Sequence, residues 1–226
     1  MEKQNEKGTR KNKKKGNFLI ALGLILLLAA GGLVIYNMWD ARRAEEASNQ
    51  IASNLIEEIG EAVEDGLTAL PYAAANTPMP TAMIDGYEYI GILEIPSLGL
   101  TLPVMKEWDY DRLKISPCRF TGSYYTDDLV ICAHNYAKHF SPIKWIEIGA
   151  DVYFTNVEGL TIHYIVTNRE TVEPTDVATM IENSKNSETS KMEWDMTLFT
   201  CNTGGQTRCA VRCSRAQEES GQKTAD

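Results

Sequence analysis

Cys201 closes the segment Thr197-Leu198-Phe199-Thr200-Cys201, seven positions before Arg208, while His134 ends an apolar run far upstream. A thiol, an imidazole and a cation are the working parts of a thiol acyltransferase. A free thiol has a pKa of about 8.5 and is mostly protonated at neutral pH, so a nucleophilic cysteine needs an imidazole partner or a positive field. His134 can supply the imidazole. Attack on an amide also builds charge on the carbonyl oxygen, and a fixed donor aimed at it lowers the barrier by about 3 to 4 kcal/mol. Arg208 can be that donor, because a guanidinium does not deprotonate. The competing reading makes Cys201 a core cysteine, His134 a hydrogen-bonded core histidine and Arg208 a solvated charge, and spacing alone does not separate the two.

More specific are four segments between about residues 90 and 213. They are Ile92-Leu93-Glu94-Ile95-Pro96 with Leu102-Pro103-Val104; Gly122-Ser123 with Leu129-Val130-Ile131-Cys132-Ala133-His134-Asn135; Gly149-Ala150-Asp151-Val152; and Thr197 to Cys201 with Arg208. With them the chain resembles the sortases, membrane-bound cysteine transpeptidases of Gram-positive bacteria. Their histidine ends a strand before asparagine, their cysteine ends a Thr-Leu-x-Thr-Cys strand, and their arginine opens the next strand. His134, Cys201 and Arg208 fall on those positions. Two departures, Ala133 where glycine is frequent and Cys213 where many relatives have glycine or alanine, remove no catalytic group.

The resemblance implies a mainly β fold: a closed barrel of about eight strands with short helices. It implies a secreted substrate bearing a Leu-Pro-x-Thr-Gly-like C-terminal sorting signal, a peptidoglycan-precursor amine as acceptor, and no cofactor; some sortases bind calcium in a loop that this sequence does not reveal. A helical insertion and the His134-Asn135-Tyr136 context lean toward class B. Three alternatives stay open. A thiol protease lets water take the acyl group. A pilin-polymerising sortase usually carries a second, C-terminal span, whereas residues 214–226 are polar and charged. A non-enzymatic membrane-tethered scaffold would leave Cys201 unreactive.

The elements that must hold these residues divide the chain. Residues 1–17 carry seven Lys or Arg against two Glu, a cytoplasmic basic tail by the positive-inside rule. Residues 18–36 hold no charge and twelve Leu, Ile, Val or Phe, enough for a transmembrane helix contacting lipid. Ala29-Ala30-Gly31 also permits a signal-peptide reading, but the apolar run continues through Val34, Ile35 and Tyr36 to an interfacial Trp39. A single-pass protein of the cell membrane follows, with its catalytic domain outside. Residues 37–85 read as an extracellular stalk helix and linker: Ile51, Leu55, Ile56, Ile59 and Val63 form an apolar stripe among glutamates, and Pro71, Pro78 and Pro80 forbid a continuous helix. Residues 86–215 are the expected barrel, and 216–226 a polar tail.

With the basic tail removed, the net charge of −9 becomes −14 for the rest of the chain, which argues against a nucleic-acid partner. Five cysteines leave at least one thiol free, expected to be Cys201. Cys209 and Cys213 stand about 13 Å apart along one strand and cannot bond each other, whereas a Cys118–Cys132 bridge is possible. No Cys-x-x-Cys pair or histidine spacing suggests zinc. His163 reads as a solvated strand residue, and His139 as a loop residue after the candidate base.

Short β-rich runs cover Tyr89 to Ile95, Leu129 to Ala133, Asp151 to Thr155, Leu160 to Thr167 and Met196 to Cys201, with a hairpin turn at Asn156-Val157-Glu158-Gly159. Pro174-Thr175-Asp176 opens one helix, with Val177, Met180 and Ile181 on its apolar face, before a polar stretch at 183–191. In sortases this connection covers the substrate groove. Arg212 lies four residues beyond Arg208, on the same strand face but too far to reach the same oxyanion. Its loss is therefore expected to cost far less turnover.

Overall fold

The computed structural model describes residues 2–64 and 77–217. Residues 65–76 of the expected stalk and linker, and the polar tail beyond Gln217, lie outside the described residues. The chain divides into two units, Met1–Arg43 and Ala44–Asp226. Helix α1 (Glu2–Glu64) supplies all of the first unit that is described. Its most apolar 18-residue window reaches a mean hydropathy of 2.8 with none of it buried, and side chains such as Phe18, Leu27 and Ile35 stand exposed. The helix is long and apolar enough to cross a bilayer, a candidate membrane span over the residues expected to make one.

In the second unit the last turns of α1 precede nine strands: β1 (Ala82–Ile84), β2 (Tyr87–Ile95), β3 (Leu100–Met105), β4 (Cys118–Thr121), β5 (Leu129–Cys132), β6 (Asp151–Asn156), β7 (Thr161–Val172), β8 (Met196–Cys201) and β9 (Arg208–Arg215). One short helix, α2 (Val177–Ile181), lies between β7 and β8. The strands form one sheet, β1-β2-β3-β4-β5-β8-β9-β7-β6, and β6 pairs back onto β2. Strands β2 to β9 thus close an eight-stranded barrel. β1 pairs with Tyr87 to Tyr89 of β2, and β6 takes Gly91 to Glu94 of the same strand. Closure depends on Gly91, which faces Asn156 at φ +153°; a Cβ there would stand 2.2 Å from the Thr155 carbonyl oxygen.

Alternation builds the core. In β6 the buried residues Val152 and Phe154 alternate with half-buried or exposed neighbours, and Ile162, Tyr164 and Val166 do the same in β7. They fill the barrel with Leu93, Leu102, Ile131, Leu198 and Val211. β5 is buried on both faces, which explains its unbroken apolar run. Its Cys132 belongs to a second cluster in which Ile51, Leu55 and Ile59 of α1 pack with Tyr89, Ile92, Met105 and Cys118. Three of the five stripe residues therefore pack on the barrel wall, while Ile56 and Val63 stand exposed.

Differences from the expected elements are local. β7 runs five residues past Thr167, because its far end pairs with β9 from Asn168 to Val172. β1 falls inside the expected linker, since three residues suffice where a hairpin partner is adjacent. Cys118 and Cys132 face each other across β4 and β5 as free thiols rather than a bridge.

Candidate active site

β5 and β8 are neighbouring parallel strands in the register Cys132↔Phe199. Past that pair, Ala133 N donates to the Phe199 carbonyl (3.2 Å), and the Thr200 hydroxyl, 1% exposed, donates to the Ala133 carbonyl (2.8 Å). These bonds tie the two strand ends together just before His134 and Cys201 leave them. Strand β9 returns antiparallel with Arg208 directly opposite Cys201. The intervening turn is fixed by Asn202, which donates through N to the Thr207 carbonyl (2.9 Å) and through Nδ2 to its hydroxyl (2.9 Å), while Gly204 and Gly205 take φ of +85° and +72°. Nη1 of Arg208 donates to the Gly205 carbonyl at 2.9 Å, so the turn also steadies the guanidinium.

All three residues line one groove of about 260 Å³. Its floor includes Phe120, Cys132 and Phe199; Val177 and Met180 of α2 stand on one side with Pro174, and Trp108, Tyr110 and Leu113 come from the connection between β3 and β4. The aromatic residues form a row: Trp108 lies 5.2 Å from Phe120, and Phe120 meets Phe199 edge-on at 5.2 Å. Phe199 is two residues before Cys201, so the row reaches the thiol along one strand face. Sequence reasoning missed Trp108 and Phe120. Trp108 sits in a polar loop without periodicity, and the one available signal was an aromatic pair, Trp108 and Tyr110, set among acidic residues.

The thiols differ sharply. Cys118, Cys132, Cys209 and Cys213 are buried, and burial pushes each of their pKa values up, that of Cys132 to about 12. Cys201 is partly exposed in the groove. The histidines differ too. The His134 ring lies 5.1 Å from that of Tyr136, which in turn lies 5.4 Å from His139. His139 is fully buried against the backbone of Ala44, neither ring nitrogen makes a well-formed hydrogen bond to a described residue, and burial pushes its pKa down to about 4. His163 is solvated but paired: its Nε2 lies 2.8 Å from Asp151, and its ring stacks on Tyr153 at 4.6 Å. Neither lines the groove.

Arg212 shares the outer face of β9 with Arg208 and Ala210, as the two-residue strand period requires. Unlike Arg208 it is 2% exposed and bound into several neighbouring elements. Its guanidinium is taken up by Glu170, Thr179, Met180 and Thr197, and Arg212 does not line the groove.

Comparison with known proteins agrees with this architecture. The sortase domain family model matches residues 93–216. Among solved structures, the sortase C1 of Streptococcus suis is 25% identical over 62% of this chain and 79% of its own, with a TM-score of 0.50. The sortase D5 transpeptidase of Clostridium perfringens is 14% identical over 78% of this chain and 99% of its own, TM-score 0.52. Sortase A of Corynebacterium diphtheriae is 17% identical over 82% and 96%, TM-score 0.50. Curated sequences give no match. The TM-scores to three classes are nearly equal, so the fold likeness does not choose among them.

Proposed function

The chain belongs to the sortase family of cysteine transpeptidases, and on that premise we propose that Cys201, His134 and Arg208 carry the transfer. What supports the assignment is that all three line one groove, with His134 and Cys201 following the tied ends of two parallel strands and Arg208 opposite the thiol. Cys201 Sγ attacks the threonine carbonyl carbon of a Leu-Pro-x-Thr-Gly-like sorting signal; the C–S bond forms as the Thr–Gly amide bond breaks. His134 delivers a proton to the departing glycine amine. An amine of a cell-wall precursor then attacks the thioester, His134 takes its proton, and the thiolate leaves with the surface protein joined to the acceptor. Arg208 binds the oxyanion in both steps or holds the substrate backbone. Lining by Trp108, Val177, Met180 and Phe199 suits the apolar start of such a signal.

The test is cleavage of a fluorogenic sorting-signal peptide, with and without added amine. Ligated product in the presence of amine marks transpeptidation; hydrolysis alone marks a thiol protease; no reaction with any signal peptide removes the substrate assignment.

The candidate span anchors this domain outside the cytoplasmic membrane with residues 1–17 inside. Protease added to intact wall-less cells should degrade the domain beyond residue 85 and spare the basic tail. Protection of the barrel would invert that topology.

A further inference from the structure

The structure assigns Arg212 as a positioning residue: it clamps the end of α2 onto β8 and β9 and so fixes the wall that Val177 and Met180 present to the sorting signal. The proposal rests on the reading of the groove as the signal-binding site.

Four acceptors from three elements converge on this one guanidinium. Nε donates to Glu170 Oε1 of β7 (2.8 Å), Nη1 to the Thr197 hydroxyl of β8 (2.8 Å) and to the Met180 carbonyl (3.1 Å), and Nη2 to the Thr179 carbonyl (2.6 Å). The Trp194 ring covers the guanidinium at 5.3 Å. A helix as short as α2 does not persist in water on its own, and its last carbonyls lack partners within the helix. Asp176 caps the other end, accepting from Thr179 N at 3.1 Å. Arg212 satisfies the far end from below, where a cation also complements the helix dipole.

The link to the groove runs through Met180. Its carbonyl is held by Arg212, and its side chain packs with Val172 and Ala210 against Phe199 while lining the groove. Ala210 lies between the two arginines on β9, opposite Phe199, and its small side chain leaves Met180 room to settle. Lysine cannot replace this arrangement, because an ammonium lacks the planar fork that spans separated acceptors.

The test compares Arg212→Met, Arg212→Lys, Met180→Ala and the Arg212→Met/Met180→Ala double variant. Three readings are taken: steady-state cleavage of the signal peptide, alkylation of Cys201 by iodoacetamide, and hydrogen exchange at residues 179–182. Arg212→Met should raise KM about tenfold or more with kcat within about threefold, leave the alkylation rate within about twofold, and speed exchange in α2. Arg212→Lys should recover little, and the double variant should be no worse in KM than the more affected single variant, because both changes damage one wall. If Arg212→Met does not fold, Thr197→Val, which removes one acceptor, should show the same KM-weighted pattern in smaller measure. A fall in kcat at unchanged KM, unchanged exchange in α2, or additive KM effects would overturn the clamp. Should the wild-type protein cleave no signal peptide, the function reading fails while exchange in α2 still decides the clamp.

Discussion

Two arginines on one face of β9 have opposite surroundings. Arg212 is sealed beneath α2 with its donors committed to β7, β8 and the helix end, whereas Arg208, at the groove, donates through Nη1 to the carbonyls of its own turn. Nε and Nη2 of Arg208 make no hydrogen bond to a described residue, and that end of the guanidinium stays available to substrate. The contrast shows that a shared residue type and a shared strand face do not imply a shared task. What differs is the cover: α2 lies over one end of the face, and a groove opens at the other.

The largest effect belongs to the groove end. Cys201→Ala should abolish peptide cleavage while the melting temperature moves by no more than a few degrees, since losing a small, partly exposed thiol leaves little cavity. Surviving cleavage would end the enzyme assignment for this residue. Next, Arg208→Ala should lower turnover roughly 100- to 1000-fold with little change in melting temperature, as expected for a lost oxyanion donor. Arg212→Ala should do the reverse, costing about 3 kcal/mol of stability in a denaturant titration because Glu170, Thr197 and two carbonyls lose their partner. If Arg208→Ala proves the more destabilising and Arg212→Ala the more damaging to kcat, the comparison collapses.

A smaller effect comes from a residue outside the groove. His139 is held neutral by burial, with its pKa pushed from 6.5 down to about 4, so the unfolded chain takes up a proton that the folded one refuses between those values. Stability is complete above about pH 6.5 and declines as pH falls toward 4, by at most about 3 kcal/mol. Melting temperatures against pH should show that slope, and His139→Leu should flatten it while retaining cleavage at neutral pH. Smallest of all, Cys118→Ala and Cys209→Ala should keep most activity and lose about 1 kcal/mol in unfolding.

Much of this was legible in the chain. Thr200 and Cys201 end a β-rich run, His134 ends another, and a strand-end thiol with a distant imidazole is a chemical pattern as well as a family one. The barrel followed from short alternating runs, and α2 from Asp176 and the apolar spacing after it. What stayed hidden depends on contacts between segments distant in sequence. An arginine flanked by Val211 and Cys213 looks the same whether a helix covers it or water does, so the clamp had no local signature. β1 was concealed by the prolines before it, and Trp108 by a polar loop whose contact with Phe120 joins residues twelve apart.

Ala210 carries one further meaning. Because Ala210 stands beside Phe199 in the sheet and packs with Met180 of α2, the size of residue 210 sets how closely the helix lies on the sheet. Variation there would retune which signals the groove accepts while leaving thiol, imidazole and Arg208 untouched, a route by which recognition can diverge in descendants whose chemistry does not.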